Sequence, residues 1–256
     1  MGTVYLARDT VLDRLVALKV PKSTKAQESV DRFFREAKSA AILYHPNICT
    51  LFEFGEVDGQ RFLTMAYIEG STLAEIVKAG KRYSWHEIAM LIQQVAETLD
   101  EAHSKGVIHR DLKPSNIMVN LRGKPIIMDF GLARRQTQQD SNLTQIGSVV
   151  GTPAYMSPEQ IKCQDGKVDF RSDIYSLGVV FYELLTGRLP FEGVDFLAVL
   201  GLVLTEEPTP PSKITPGIPP ELERICLRAM SKSIDHRYQT MTEMANDLNT
   251  VCKLLV

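Results

Sequence analysis

The stretch from Val107 to Gly131 carries two carboxylates and one amide that could hold a metal ion. Asp111 and Asn116 come before one short apolar run, and Asp129 comes directly after a second. If the two runs pair as a hairpin, its entrance and exit lie side by side and bring the three side chains together. Mg²⁺ is a hard cation that binds few carboxylates together with phosphate oxygens. The sequence therefore predicts a Mg²⁺ site between a nucleotide and a hydroxyl nucleophile.

The hairpin that would bring these groups together is predicted from two apolar runs, residues 117–119 and 126–128. Gly123 and Pro125 lie between the runs and mark a turn. Short apolar runs bounded by turn residues are typical of strands. The predicted metal site therefore depends on this hairpin.

Lys19 lies in another predicted hairpin, in which alternating apolar residues flank a turn at Asp13 and Arg14. A lysine on a strand is, taken alone, most often a surface residue. A helix is predicted over residues 28–43, and Glu36 lies at the edge of its apolar face. An ion pair between Glu36 and Lys19 would direct the lysine towards phosphates, whereas the alternative is that both charges are solvated.

The chain changes from strand-like to helix-like patterns near Ile68. Two further strands, residues 51–55 and 61–66, come before that point. Helices are predicted at residues 72–79, 86–104, 173–187, 220–230 and 242–254. We therefore predict one domain with a small β-rich lobe, residues 1–67, and a larger helical lobe, residues 68–256.

Two segments between the predicted helices lack helical periodicity. Residues 134–147 are rich in Gln, Ser, Thr and Asn, which predicts a mobile surface loop that ends in the sequence GTPAYMSPE. Residues 208–220 are rich in proline, which predicts an extended connection.

Length, charge and cysteine usage narrow the class of protein. The 256 residues suffice for one large domain or two fused lobes. A formal net charge of -2 favours neither nucleic acid nor an anionic membrane as a partner. The four cysteines form no C-x-x-C pair, which is typical of reduced thiols in a cytosolic protein. The longest apolar run, residues 196–204, is too short to span a bilayer. These features predict a cytoplasmic domain without a membrane segment and leave open an anchor outside this chain.

In their order along the chain, these motifs resemble those of the eukaryotic-type protein kinase family, most of all its bacterial Ser/Thr members. The matching pieces are Ala17-Leu18-Lys19, Glu36, His109-Arg110-Asp111 with Asn116, Asp129-Phe130-Gly131 and Ser157-Pro158-Glu159. The resemblance covers nearly the whole chain and implies a bilobal α+β fold. It also implies ATP-dependent transfer of the γ-phosphoryl group to Ser and Thr hydroxyls of proteins, with Mg²⁺, or Mn²⁺ in its place, as the metal.

The resemblance implies a role for each polar residue of the site. Asp111 would accept the proton of the substrate hydroxyl, and Lys113 would neutralise charge on the transferring phosphoryl group. Asn116 and Asp129 would hold the metal. Lys19, paired with Glu36, would hold the α- and β-phosphates, and Thr152 would bridge Asp111 and Lys113.

A nucleotide pocket is implied as well, although its residues are less specific in sequence. Its apolar lining would be Val4, Ala17, Met65 and Met118, with Gly2 in the Gly-rich loop and backbone groups from Ala66 and Ile68. For the two methionines, a place in an ordinary core is nearly as good an explanation, since Met fills gaps in any core.

Arg110 beside the catalytic aspartate suggests regulation by a phosphate on the loop. Thr144 is the first candidate for autophosphorylation, which would involve self-association. The other candidates are Thr137, Ser141 and Ser148. We also expect a buried ion pair between Glu159 and Arg237, and we expect Asp173 to accept hydrogen bonds from the catalytic-loop backbone.

One motif departs from the family pattern. The Gly-rich loop G-x-G-x-x-G-x-V is matched only from its last glycine, Gly2, through Val4. We therefore expect either a cropped chain or a start assigned too late. A real truncation would weaken ATP binding, because fewer backbone N–H groups would meet the phosphates.

Two other functions share parts of this pattern with an active Ser/Thr protein kinase. A catalytically silent, kinase-like binding module is supported only by the incomplete Gly-rich loop. A small-molecule phosphotransferase would use an analogous ATP site. The GTPAYMSPE segment argues instead for a protein substrate.

Overall fold

The computed structural model describes residues 2–21, 42–130, 153–162 and 168–255. Within them, strands dominate up to residue 72, and helices dominate after it apart from one hairpin. The predicted α+β class is confirmed. The predicted helix over residues 28–43 and the predicted loop over residues 134–147 lie outside the described residues.

The first sheet contains four antiparallel strands. They are β1 (Gly2–Asp9), β2 (Arg14–Pro21), β3 (Leu51–Val57) and β4 (Gln60–Ala66). Their order in the sheet is β1-β2-β4-β3. Asp13 and Asp58 lie in its two tight turns with φ values of 50°, which Asp tolerates because its short side chain can hydrogen-bond locally. Both predicted strand pairs are confirmed.

The second sheet contains the hairpin that the metal prediction requires. Its strands are β5 (Gly70–Thr72), β6 (Ile117–Asn120) and β7 (Pro125–Ile127), in that order. The hairpin is confirmed, with β7 beginning one residue earlier than predicted. Asn47 C=O accepts from Ile127 N–H at 2.8 Å, and Ile127 C=O accepts from Cys49 N–H at 2.9 Å. These bonds join β7 to the segment before β3, so the two sheets are tied together next to the site.

Helices form most of the remaining described chain. They are α1 (Leu73–Lys78), α2 (Trp85–Ser104), α3 (Pro158–Ile161), α4 (Arg171–Thr186), α5 (Phe196–Thr205), α6 (Pro211–Ile214), α7 (Pro220–Ala229) and α8 (Met241–Leu254). A capping box of Ser84 and Glu87 begins α2, and Gly187 ends α4 with a φ of 71°. The long helices predicted from periodicity are confirmed.

The prediction of an extended connection over residues 208–220 is wrong in part. One helical turn, α6, interrupts it. Pro211 occupies the first position of this turn, where the missing N–H of proline has no helical partner to lose and its fixed φ suits the helix. A proline-rich composition therefore did not exclude a helical turn at this point.

Helix α4 forms the centre of the helical core. It packs against α2 and α7, and α8 packs along α2. Nearly all of its side chains are buried and most are apolar, which matches the prediction of a helix buried on all sides. Ser172 and Ser176 are buried polar residues of this helix, and Asp173 is a fully buried carboxylate. Among the described helices, none is long and apolar enough to cross a membrane.

Candidate active site

The loop that carries Asp111 is held by the buried carboxylate of Asp173. Asp173 Oδ2 accepts from His109 N–H at 2.8 Å, and Oδ1 accepts from Arg110 N–H at 2.7 Å. Burial acts to raise the pKa of Asp173, but hydrogen bonds from His103 and from the His109 N–H outweigh it and lower that pKa below its ordinary value. The prediction that Asp173 accepts hydrogen bonds from this loop is confirmed.

Two residues of the site have a left-handed backbone. Arg110 has a φ of 64° and Asp129 a φ of 58°. Such conformations cost on the order of 1–3 kcal/mol for non-glycine residues and persist only where the surroundings fix them. Asp173 fixes Arg110, and His109 Nε2–H donates to Met128 C=O at 2.9 Å directly before Asp129. The backbone of the site is therefore strained and held from outside.

Asp111, Lys113 and Asn116 form one cluster of side chains. Asp111 Oδ2 accepts from Lys113 Nζ at 2.7 Å and from Asn116 Nδ2 at 3.3 Å. Asn116 Nδ2 also donates to Asp111 C=O at 2.8 Å. The Asp111 side chain is 33% exposed, whereas Lys113 is buried. The carboxylate is thus oriented by its neighbours and still open to a reacting group.

Lys19 lies on β2 of the first sheet, and its side chain contacts Asp129, which follows β7 of the second sheet. Its Nζ donates to Asp129 Oδ1 at 2.7 Å, and its side chain is only 12% exposed. The alternative of a solvated surface lysine is therefore wrong. The contact with Asp129 was not predicted, because the two residues lie 110 positions apart in sequence.

The residues predicted to line the nucleotide pocket lie on paired strands of the first sheet and on β6 of the second. Ala17 of β2 pairs with Met65 of β4, and Val4 of β1 pairs with Lys19 of β2. Met118 lies on β6 and is partly buried. The pocket-lining set is thus divided between the two sheets.

Gly2, Ala66 and Ile68 were predicted to contribute backbone groups. A Cβ on Gly2 would collide with the Val20 carbonyl oxygen, so close pairing of β1 with β2 requires glycine there. The Ala66 N–H already donates to Thr50 C=O at 2.9 Å. The Ala66 carbonyl oxygen accepts from Cys49 Sγ at 3.6 Å and has a second lone pair that a ligand could use. Ile68 follows in the connection to β5.

Cys49 is a neighbour of the site that sequence reasoning did not identify. Its Sγ lies 3.6 Å from the Ala66 carbonyl oxygen. Burial, and secondly the negative charge of Asp129, raise the pKa of the Cys49 thiol to about 12. No sequence motif marks this cysteine, because only the fold brings it close to Asp129.

The structure tests the metal prediction through the chemistry of the donor groups. Among the described residues, no cluster of three or more His, Cys, Asp or Glu could hold a metal ion. Mg²⁺ usually binds one or two carboxylates and takes its other ligands from water and phosphate. Asp129 and Asn116 fit such a partial set. Met128 N–H donates to Asn116 C=O at 2.8 Å, so the open end of the β6-β7 hairpin holds Asn116 beside the residue that precedes Asp129.

Several predicted residues lie outside the described part of the chain. They are Glu36, Thr152, Thr144, Thr137, Ser141 and Ser148. The ion pair of Glu36 with Lys19 and the bridge through Thr152 therefore stay predictions, as does phosphorylation of Thr144.

Helix α3 contacts both the catalytic loop and the segment that leads into α8. Glu159 forms a two-pronged ion pair with Arg237, both N–O distances being 2.8 Å, and accepts from Ser172 Oγ at 2.7 Å. Both charged side chains are buried, which confirms the predicted pair. The neighbouring Gln160 Nε2 donates to Arg110 C=O at 2.8 Å. The ion pair therefore lies directly behind the catalytic loop.

Comparison with known proteins agrees with this geometry. The family model described as "Protein kinase domain" matches residues 1–246. Serine/threonine-protein kinase PknB of Mycolicibacterium smegmatis is 40% identical in an alignment that covers 97% of this chain and 40% of that protein. Serine/threonine-protein kinase PrkC of Bacillus subtilis is 37% identical over 252 residues, 98% of this chain and 38% of that protein.

A third relative, serine/threonine-protein kinase pkn3 of Myxococcus xanthus, is 41% identical in an alignment that covers 99% of this chain and 48% of that protein. The chain thus spans 38% to 48% of the length of these curated relatives. The family match extends over almost the whole sequence, as the resemblance of the motifs implied. This chain belongs to the protein kinase domain family.

Proposed function

We propose that this chain is a serine/threonine protein kinase domain that transfers the γ-phosphoryl group of ATP to hydroxyls of protein substrates. The observation that carries the proposal is the cluster in which Lys113 and Asn116 orient the partly exposed Asp111 carboxylate. Relatives named as serine/threonine-protein kinases support the choice of substrate hydroxyl.

Asp111 would accept a hydrogen bond, and then the proton, from the substrate hydroxyl. Its Oδ2 is held by Lys113 and Asn116, and its Oδ1 accepts no hydrogen bond from the residues that the structure describes. That oxygen is therefore available to orient the attacking oxygen. The Lys113 ammonium would lower the energy of negative charge that develops on the transferring group.

ATP with a divalent metal would supply the phosphoryl group and neutralise its oxygens. Asn116 and Asp129 would hold the metal, which is Mg²⁺ in the simplest case and Mn²⁺ as a substitute. Lys19, with Glu36 as its partner, would hold the phosphates. Thr152 would bridge Asp111 and Lys113. The pocket residues would be Gly2, Val4, Ala17, Met65 and Met118, with backbone groups of Ala66 and Ile68.

We also propose three more specific properties of this kinase domain. The first is self-association with autophosphorylation at Thr144, supported by Arg110 next to Asp111 in the sequence. The second is a cytoplasmic location, supported by the need for ATP and by cysteines without a C-x-x-C pair. The third is the division into lobes at residues 67 and 68, supported by the end of the first sheet at Ala66.

The test compares wild type with Asp111→Asn in a radiolabelled phosphate assay with a generic protein substrate. We expect wild type to label the substrate and Asp111→Asn to lose roughly two or more orders of magnitude, because the amide cannot accept the proton. Labelling of a small molecule but of no protein would favour a small-molecule phosphotransferase. ATP binding without any labelling would favour a silent binding module and refute the proposal.

A further inference from the structure

His103, in the last turn of α2, is a second buried partner of Asp173. Its Nε2 lies 2.8 Å from Asp173 Oδ2, and the two side chains are 8% and 0% exposed. The other ring nitrogen, Nδ1, is buried and has no hydrogen-bond partner in the part of the chain that the structure describes. The ring lies against Phe170, with 5.7 Å between the ring centroids. Within the described residues, the buried imidazole of His103 therefore has one hydrogen-bond partner, Asp173.

The oxygen that His103 contacts is also bound by the catalytic loop. Asp173 Oδ2 accepts both from His103 and from the His109 N–H at 2.8 Å, while Oδ1 accepts from the Arg110 N–H. A carboxylate can rotate about its Cβ–Cγ bond unless both oxygens are fixed by donors of defined direction. The histidine comes from a different helix than the carboxylate and opposes that rotation.

The orientation of Asp173 decides where Asp111 lies. Arg110 has a left-handed backbone, which needs a fixed acceptor for its N–H to persist. Asp111 follows Arg110 directly, so a rotation of that peptide plane would move the Asp111 carboxylate. Displacements of about 1 Å in positioned groups cost large factors in rate.

We propose that His103 is a positioning residue for phosphoryl transfer, acting through Asp173 and the loop backbone on Asp111. This inference rests on the proposed kinase function. Within the described residues, the polar contact of His103 is with Asp173 and its ring contact is with Phe170, so it acts on neither Asp111 nor the metal-binding candidates directly. It therefore affects turnover through geometry and leaves the nucleotide pocket unchanged.

Two amide variants test which ring nitrogen matters. In His103→Gln, the side-chain amide takes the place of Nε2 and can donate to Asp173. In His103→Asn, it takes the place of Nδ1, which has no partner. We expect His103→Asn to lower kcat about tenfold with little change in KM for ATP, and His103→Gln to retain most of kcat. The control is His236→Asn, which changes an exposed histidine outside the catalytic loop and should leave kcat unchanged.

A second readout does not depend on kinase activity. Hydrogen exchange of the His109 and Arg110 amides should be faster in His103→Asn than in wild type, and close to wild type in His103→Gln. If wild type transfers no phosphate, the proposed function fails, and these exchange rates still decide the role of His103. Equal kcat and equal exchange in all three proteins would overturn the inference. So would equal losses in the two variants, since packing alone would then explain the effect.

Discussion

The two carboxylates of the candidate site, Asp111 and Asp129, are partly exposed, whereas the residues that hold the catalytic loop from behind are buried. Asp111 and Asp129 remain open to a ligand, while Asp173 and His103 are enclosed behind the loop. Exposed charges can be changed at small cost in stability. Buried, hydrogen-bonded charges cannot, because their partners are left unpaired. Substitutions in the first group should therefore reduce activity alone.

Cys49 allows a prediction about reactivity at the level of one side chain. A thiol must ionise before it attacks an electrophile. Because its pKa is raised from 9.0 to about 12, Cys49 should react with iodoacetamide on the order of a thousandfold more slowly than an unperturbed thiol at about pH 8. Mass spectrometry of the peptide that contains Cys49, taken at several times of reaction, gives the rate.

The control for Cys49 is the same peptide in the unfolded protein. In denaturant, burial and the neighbouring Asp129 charge are lost, and the thiol should react at the rate of a free cysteine. Equal rates in folded and unfolded protein would contradict the burial that the structure gives this residue.

The sequence predicted the metal-binding candidates because they lie next to one local hairpin. Asn116 and Asp129 require only that β6 and β7 pair, and short apolar runs with a turn predict that pairing. The contact of Lys19 with Asp129 and the place of Cys49 depend on how separate sheets meet. No sequence motif marks His103 as a partner of Asp173, which lies 70 positions away. Such contacts depend on long-range packing, which cannot be predicted from local periodicity in the sequence.

At the scale of elements, helix ends and apolar stripes were predicted well from hydrophobic periodicity, because that signal is local. Serine and glutamate in a capping box begin α2, and its buried stripe follows the predicted period. Over residues 208–220, the proline-rich composition alone predicted an extended chain, and the positions of the prolines were the better guide to its conformation. There, the turn α6 forms because proline is placed at its start.

The crossing of α4 and α7 yields a prediction about packing. A Cβ on Gly178 of α4 would lie 2.8 Å from Met230 Cγ and 2.9 Å from Ala229 Cβ. Gly178→Ala should therefore force the helices apart and lower the free energy of unfolding by roughly 1–3 kcal/mol. The gain in helix propensity, up to about 1 kcal/mol, offsets only part of this. Chemical denaturation measures the difference.

Gly201→Ala is the matched variant, since it makes the same change in another helix. Nothing lies within 4 Å of the position of a Cβ on Gly201 of α5. The alanine should then raise the free energy of unfolding by about 0.5–1 kcal/mol through helix propensity alone. Opposite signs for the two variants are expected. A stabilising Gly178→Ala would show that the two helices have room to adjust.

At the scale of the whole molecule, the pair of Glu159 and Arg237 joins segments that are 78 residues apart. It links α3, which contacts the catalytic loop through Gln160, to the segment that leads into α8. Arg237 also donates to the carbonyls of Ser231 and Arg171. A buried ion pair need not stabilise more than an apolar pair would, but removal of one partner strands the other charge. The fold around the site therefore depends on both residues.

Glu159→Gln tests this dependence together with its pH profile. Burial acts to raise the pKa of Glu159, but Arg237 and Ser172 outweigh it and lower that pKa below its ordinary value of 4.5. The variant should lose roughly 3–5 kcal/mol of unfolding free energy at neutral pH, because Arg237 keeps a buried charge without its counterion. Exposed Glu53, changed to Gln, serves as the control for loss of one acidic group.

The sign of the pH dependence follows from which state binds the proton first. As pH falls through 4.5, Glu159 in the unfolded chain takes up a proton while the folded protein still resists it. Wild type therefore loses stability over this range, whereas Glu159→Gln lacks that contribution. The stability difference between the two proteins should be largest near neutral pH and shrink below pH 4.5. Denaturant titrations at several pH values measure it, and a difference independent of pH would contradict ionisation of the buried pair.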